Sequence, residues 1–208
     1  VTAVITNDAD VAQGAAWLSR TEPRFAAALE ATGPLPLRLA PDGFAALFNK
    51  IVSQQVSVAS ARAIWGRVEA AGLITPQAVS AASEEDLKSV GLSRPKMKYA
   101  RALAEAEVDY DALRDAPDAQ VIATLTAVSG IGVWTAQVYA MFNLGRADVF
   151  APGDLALQEA ARMLFDLPAR PTPKTLEEMS LAWSPWRAVA ARLLFTYYRV
   201  AKDREGIT

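Results

Sequence analysis

Two stretches of the chain hold residue types at spacings that bear on chemistry. The first is Leu125-Thr-Ala-Val-Ser-Gly-Ile-Gly-Val-Trp-Thr-Ala136. A helical pattern ends near Val128, Gly130-Ile131-Gly132 makes a tight turn, and a second helix begins at once. Two glycines two apart let the backbone take positive φ and lie close to a partner. With Ile131 plugging the helix pair from below, the amides of Gly130, Gly132 and the start of the second helix face outward together. That is a small anion site, suited to one phosphate. The same spacing would equally serve an αα-corner whose glycines are there for packing. The second stretch is Asp148-Val-Phe-Ala-Pro-Gly-Asp-Leu155. Asp154 opens a helix whose apolar face carries Leu157, Ala161 and Leu164, so it falls on the inward side of the first turn. The helix dipole favours a carboxylate there. A plain N-cap would use the same residue.

Composition narrows what these residues can do. The 208 residues contain no histidine and no cysteine. That removes disulfides, Cys/His zinc sites, iron–sulfur clusters, thiol nucleophiles and Ser–His pairs. Acid–base work falls to Asp, Glu, Lys or Tyr. The absence of cysteine fits a cytoplasmic protein, and the first ten residues show no basic start leading into an apolar run. No apolar run reaches the roughly 18 residues of a membrane span. A net charge of −2 argues against a polycationic nucleic-acid binder, although it says nothing of local patches.

The elements that must position these residues are helical. Asp42, after Pro41, is the expected N-cap of a helix with Phe44, Leu47, Phe48, Ile51 and Val52 on one stripe, and Gln55 is the next position on that stripe. A further helix runs through Val58, Ala61, Trp65 and Val68 to a stop at Gly72. Other helices are expected at 10–19, 23–31, 76–82, 84–90, 95–105, 119–127, 134–143, 154–165, 174–181 and 186–202. Alternating strand patterns are absent. The expected fold class is therefore all-α, with about ten short helices. Three segments are expected: 1–40, packing with the C-terminal lobe; 41–115, a first helical lobe; and 116–208, carrying the hairpin and Asp154. The Pro-rich run Leu167–Pro173 reads as a rigid connector.

Taken together, these motifs resemble the helix–hairpin–helix DNA glycosylases, and within them the bacterial 3-methyladenine DNA glycosylase II subfamily. The residues that carry the resemblance are Gly130-Ile-Gly-Val-Trp-Thr-Ala136, Asp148-Val-Phe-x-Pro-x-Asp154, Trp183-x-Pro-Trp-Arg187 and Ser53-Gln-Gln-Val-Ser57. It covers roughly Asp42 to Arg199. The chain has no room for the N-terminal β-domain of the longer bacterial enzymes and lacks the iron–sulfur cysteines of other branches. The resemblance implies two helical lobes flanking a DNA-binding cleft, and a monomer acting on double-stranded DNA with damaged bases, nucleoid-associated rather than at a membrane.

By the same resemblance Asp154 is the catalytic carboxylate beside the sugar carbon from which a base departs. Trp134, Phe195, Trp183 and Trp186 are candidate platforms for an extruded, cationic base. Gln55, with Gln54 as neighbour, is the candidate wedge filling the vacated stack. Gly130, Ile131, Gly132 and Thr135 would meet the DNA backbone. No cofactor is required, but the carbonyls of Thr126, Val128 and Ile131 would hold a structural monovalent cation, sodium or potassium. Arg94, Lys96 and Lys98 are candidates for basic help, although a solvated helix start serves that charge run as well. Bifunctional relatives carry lysine where this chain has Trp134, so a monofunctional alkylpurine glycosylase without lyase activity is expected. A non-catalytic hairpin module and a plain helical scaffold remain the alternatives.

Overall fold

The computed structural model describes residues 3–205; Val1, Thr2 and 206–208, the outer ends of the expected first and third segments, lie outside it. The described residues form thirteen α-helices and one 3-10 turn. They are α1 (Asp8–Thr21), α2 (Pro23–Thr32), α3 (Phe44–Ser53), α4 (Val58–Ala70), α5 (Pro76–Ala81), α6 (Glu84–Ser89) and α7 (Arg94–Glu105). There follow α8 (Tyr110–Asp115), α9 (Asp118–Thr126), α10 (Val133–Phe142), α11 (Leu155–Leu164), α12 (Pro173–Ser180), the 3-10 turn Leu181–Trp183 and α13 (Arg187–Glu205). Among the described residues the only extended pairing is an isolated bridge between Val4 and Arg146. The fold class is all-α. No helix among them is long and apolar enough to cross a membrane.

The chain divides into two compact units, one joining residues up to Leu39 with those from Ala140 onward, the other running Ala40–Tyr139. The divisions fall at 39/40 and 139/140, the second inside α10, whereas the sequence pattern placed one at 115/116. In the first unit α13 is the central helix. Residues 188–194 are all buried, and α1, α2 and α11 pack around it. A stretch covered on every side needs no polar face, so its pattern is broader than a single amphipathic stripe. In the second unit α3 buries Phe44, Leu47, Phe48, Ile51 and Val52, the stripe read from the sequence, and packs on α4 and α7.

Three local expectations are corrected. Asp42 does not cap α3; its carboxylate pairs with Arg114 at 2.7 and 3.0 Å. The N-cap is Gly43, at φ +102°, whose N–H donates to the Tyr139 hydroxyl at 2.8 Å. The helix thus starts without a side-chain cap, and the tertiary bond to Tyr139 satisfies the amide of the N-cap residue itself. Gln55 does not continue the α3 stripe, because the helix ends at Ser53 and Gln54 is already extended. Finally, α8 was not among the expected helices, although its six residues are as many as those of α5 and α6, which were. Gly72, at φ +70°, does stop α4, and the Leu73 amide closes the end onto the Val68 carbonyl.

Candidate functional site

In the second unit the hairpin joins α9 to α10. The Ile131 amide donates to the Val128 carbonyl at 3.0 Å and closes the turn, while the Ile131 side chain is buried beneath it. Gly130 must be glycine on two counts. It lies at φ +94°, and a Cβ there would collide with the Tyr99 ring. Gly132 is different. A Cβ there would meet nothing within 4 Å, and its carbonyl accepts the Ala136 amide at 3.0 Å as α10 begins. The open glycine thus stands where helix amides emerge, and the constrained one builds the turn.

Gln54 and Gln55 part company. The Gln54 side-chain amide donates to the Gly130 carbonyl at 3.0 Å, so this residue braces the hairpin rather than standing free as a wedge. Gln55 is exposed and takes φ +56°, a left-handed conformation that a glutamine adopts only at a cost. Ser93, Pro95, Lys96 and Tyr99 join the two glutamines and the three hairpin residues in lining a cleft of about 540 Å³. Lys96 does not extend its ammonium into the cleft. Its ammonium is buried and donates to the Val52 carbonyl at 2.6 Å, and burial lowers its pKa. Arg94 and Lys98 are exposed. Trp134, in the first turn of α10, is 44% exposed. Thr135 has a buried side chain and can meet a strand only through its backbone. Tyr99 was not legible as a hairpin residue, since only folding brings it to Gly130.

In the first unit the Asp148–Asp154 loop is pinned along its length. Asp148 forms a two-pronged pair with Arg187 at 2.9 and 3.0 Å and accepts the Ser184 hydroxyl at 2.8 Å. Phe150 is buried against Trp183, with ring centroids 5.5 Å apart. The Pro152 carbonyl accepts the Gln158 side-chain amide at 2.8 Å. Asp154 ends the loop as the N-cap of α11, its Oδ1 accepting the Ala156 and Leu157 amides at 2.9 and 3.2 Å. The expected carboxylate therefore sits at a helix mouth and also acts as the cap, so both readings of its spacing hold.

Trp183 does not qualify as a base platform. It is 3% exposed and packs on Phe25, Phe150 and Phe165. Trp186 is half-buried, and Gly14 in α1 leaves the space that its ring fills. Phe195 lies 6.3 Å from Phe142, centroid to centroid, with Arg38 over both rings.

An all-helical chain with a glycine hairpin at the mouth of one helix and an anchored aspartate at the mouth of another defines a helix–hairpin–helix protein. The chain belongs to the HhH-GPD superfamily of base excision DNA repair proteins, whose family pattern matches residues 48–186. It is similar to a solved DNA-3-methyladenine glycosidase from Bacillus halodurans, with 34% identity and a TM-score of 0.79 over 90% of this chain and 89% of that one. It is also similar to the Schizosaccharomyces pombe 3-methyladenine DNA glycosylase Mag1, solved in complex with abasic DNA, with 25% identity and a TM-score of 0.79 over 88% and 95% of the two chains. The alkylbase DNA glycosidase-like protein mag2 of the same yeast is 23% identical over 92% of this chain and 95% of its own length.

The contrast between the two glycines is testable. Gly130→Ala is expected to lower unfolding free energy by about 2–4 kcal/mol, through positive φ and the Tyr99 collision. Gly132→Ala should stay within about 0.5 kcal/mol of the parent yet weaken duplex DNA binding about tenfold, because its methyl covers the outward amides. Denaturant titration and fluorescence anisotropy read the two effects separately, and equal stability losses would contradict the division of roles.

Proposed function

We propose that the chain is a monofunctional DNA glycosylase that hydrolyses the N-glycosidic bond of alkylated purines, of the 3-methyladenine and 7-methylguanine type, in duplex DNA. The single observation carrying this reading is the anchored Asp154 carboxylate in a base excision repair family chain. As the C1′–N bond breaks, its electron pair leaves with the base and positive charge gathers on the sugar. A fixed carboxylate beside that charge stabilises it and can orient the water that adds to C1′. A methylated purine is already cationic, so it departs without a strong general acid, in keeping with a chain that has no histidine. The base must leave the stack to be reached. Exposed Trp134 offers an electron-rich face for a cationic base, and exposed Gln55 a side chain for the gap. With tryptophan rather than lysine at position 134 there is no hairpin amine to form a Schiff base, hence no lyase step. Relatives named for 3-methyladenine and alkylbases support this substrate class.

DNA is the partner. The same reading takes the chain to act as a monomer in the nucleoid, needing no cofactor for the reaction. It also gives the carbonyls of Thr126, Val128 and Ile131 a sodium or potassium ion. Of these three carbonyls, that of Thr126 belongs to the last turn of α9, where no further helical amide follows to bond it; the Val128 carbonyl already accepts the Ile131 amide and would offer the ion its second lone pair. Groups of three or more acidic side chains suited to a divalent ion do not occur among the described residues. Such an ion would add positive charge where the hairpin meets a phosphate.

Incubation with methylated duplex DNA should release free methylpurines and leave intact strands until alkali treatment. Asp154→Asn should cut release about 10²–10³-fold while DNA binding persists. Binding without release by either form would make the chain a non-catalytic hairpin module. Replacing sodium and potassium by tetramethylammonium at constant ionic strength should weaken binding; unchanged affinity would remove the cation from the account.

A further inference from the structure

The first unit holds a cation, Arg38, within electrostatic reach of Asp154 on a buried support. Arg192 in α13 is fully buried, and each of its three guanidinium nitrogens donates to a backbone carbonyl. It donates to the carbonyls of Leu37 at 2.9 Å, Ala188 at 2.9 Å and Met141 at 3.4 Å. Burial, with Arg38 nearby, pushes its pKa down to about 10. Keeping such a charge out of water is costly unless it secures something. What it holds is the Leu37–Arg38 corner. Arg38 follows at φ +49°, in the left-handed region. Its guanidinium lies 5.3 Å from the Phe142 ring centre and 5.4 Å from that of Phe195. No hydrogen bond or ion pair joins it to any other described residue. Asp154 and Arg199 are both within electrostatic reach. A strained backbone, a buried support and uncommitted donors rarely meet at a residue without a task.

We propose that Arg38 is a phosphate-binding residue that grips the phosphodiester beside the extruded nucleotide whose sugar Asp154 faces. This assignment rests on the glycosylase reading above. Arg38 has two further guanidinia, Arg192 and Arg199, and the Asp154 carboxylate within electrostatic reach, so positive charge is in excess around it even in a chain of net charge −2, and an anion complements it. Packing against two rings leaves the edge N–H groups pointing away, a planar fork that matches two phosphate oxygens. A cationic purine at the same place would be repelled. The site therefore suits the backbone rather than the base. With Arg38 holding one phosphate in the first unit and the hairpin another in the second, the grip does not depend on net charge.

The test uses the full chain and a duplex with a central tetrahydrofuran abasic site, with affinity measured from about 50 to 200 mM salt. Arg38→Gln should weaken binding about tenfold to a hundredfold at the low-salt end and reduce the salt slope by about 1. Arg38→Lys should restore the slope without the full affinity, because an ammonium lacks the fork. Arg38→Met keeps an apolar stem over the rings, so the slope can be read on a folded chain if glutamine unsettles the corner. The ratio of 3-methyladenine to 7-methylguanine release should not change. Unchanged slope and affinity would overturn the proposal. So would a loss confined to one lesion with abasic-site binding intact, which would make Arg38 a base reader. Binding is read without turnover, so failure of wild-type base release would sink the glycosylase reading separately.

Discussion

A carboxylate helps a developing cation only if it need not move when the charge forms. The Asp148–Asp154 loop meets that condition by distributing anchors along its length. An ion pair to Arg187 holds its start, an aromatic ring buried against Trp183 its middle, and a side-chain amide on the Pro152 carbonyl its end. The two helix amides on Oδ1 then fix the carboxylate itself. Each contact alone contributes on the order of 1 kcal/mol, but together they replace a flexible loop with a rigid mount. Trp183 thus serves the site from behind, although the sequence offered it as a face for the base.

The second unit solves a different problem. An acidic chain cannot rely on bulk attraction to bind a polyanion. It presents oriented backbone amides instead, at a turn shaped by Gly130 against Tyr99 and braced by Gln54. Positive charge is used sparingly and locally. Lys96, buried on the Val52 carbonyl, is kept for structure, and Arg94 and Lys98 remain in solvent.

What was legible in the sequence was what local physics decides. The α3 stripe, the Gly72 stop, the hairpin turn and the Asp154 cap each follow from a few neighbouring residues, and each is found. What was not legible depends on partners distant in the chain. Asp42 looked like a cap until Arg114 took its carboxylate and Tyr139 supplied the acceptor for Gly43. Gln54 looked free until the hairpin came within reach of it, 76 residues on. Arg38 lies in a stretch with no periodicity, and its setting is made by Phe142, Arg192 and Phe195, more than a hundred residues later.

The proposed role of Asp154, facing positive charge at the sugar, can be read from affinities for two duplexes, one with a neutral tetrahydrofuran and one with a protonated pyrrolidine in place of the deoxyribose. The parent chain should favour the pyrrolidine duplex by about tenfold or more, and Asp154→Asn should abolish the preference. Equal affinity in the parent, or an undiminished preference in the variant, would contradict it.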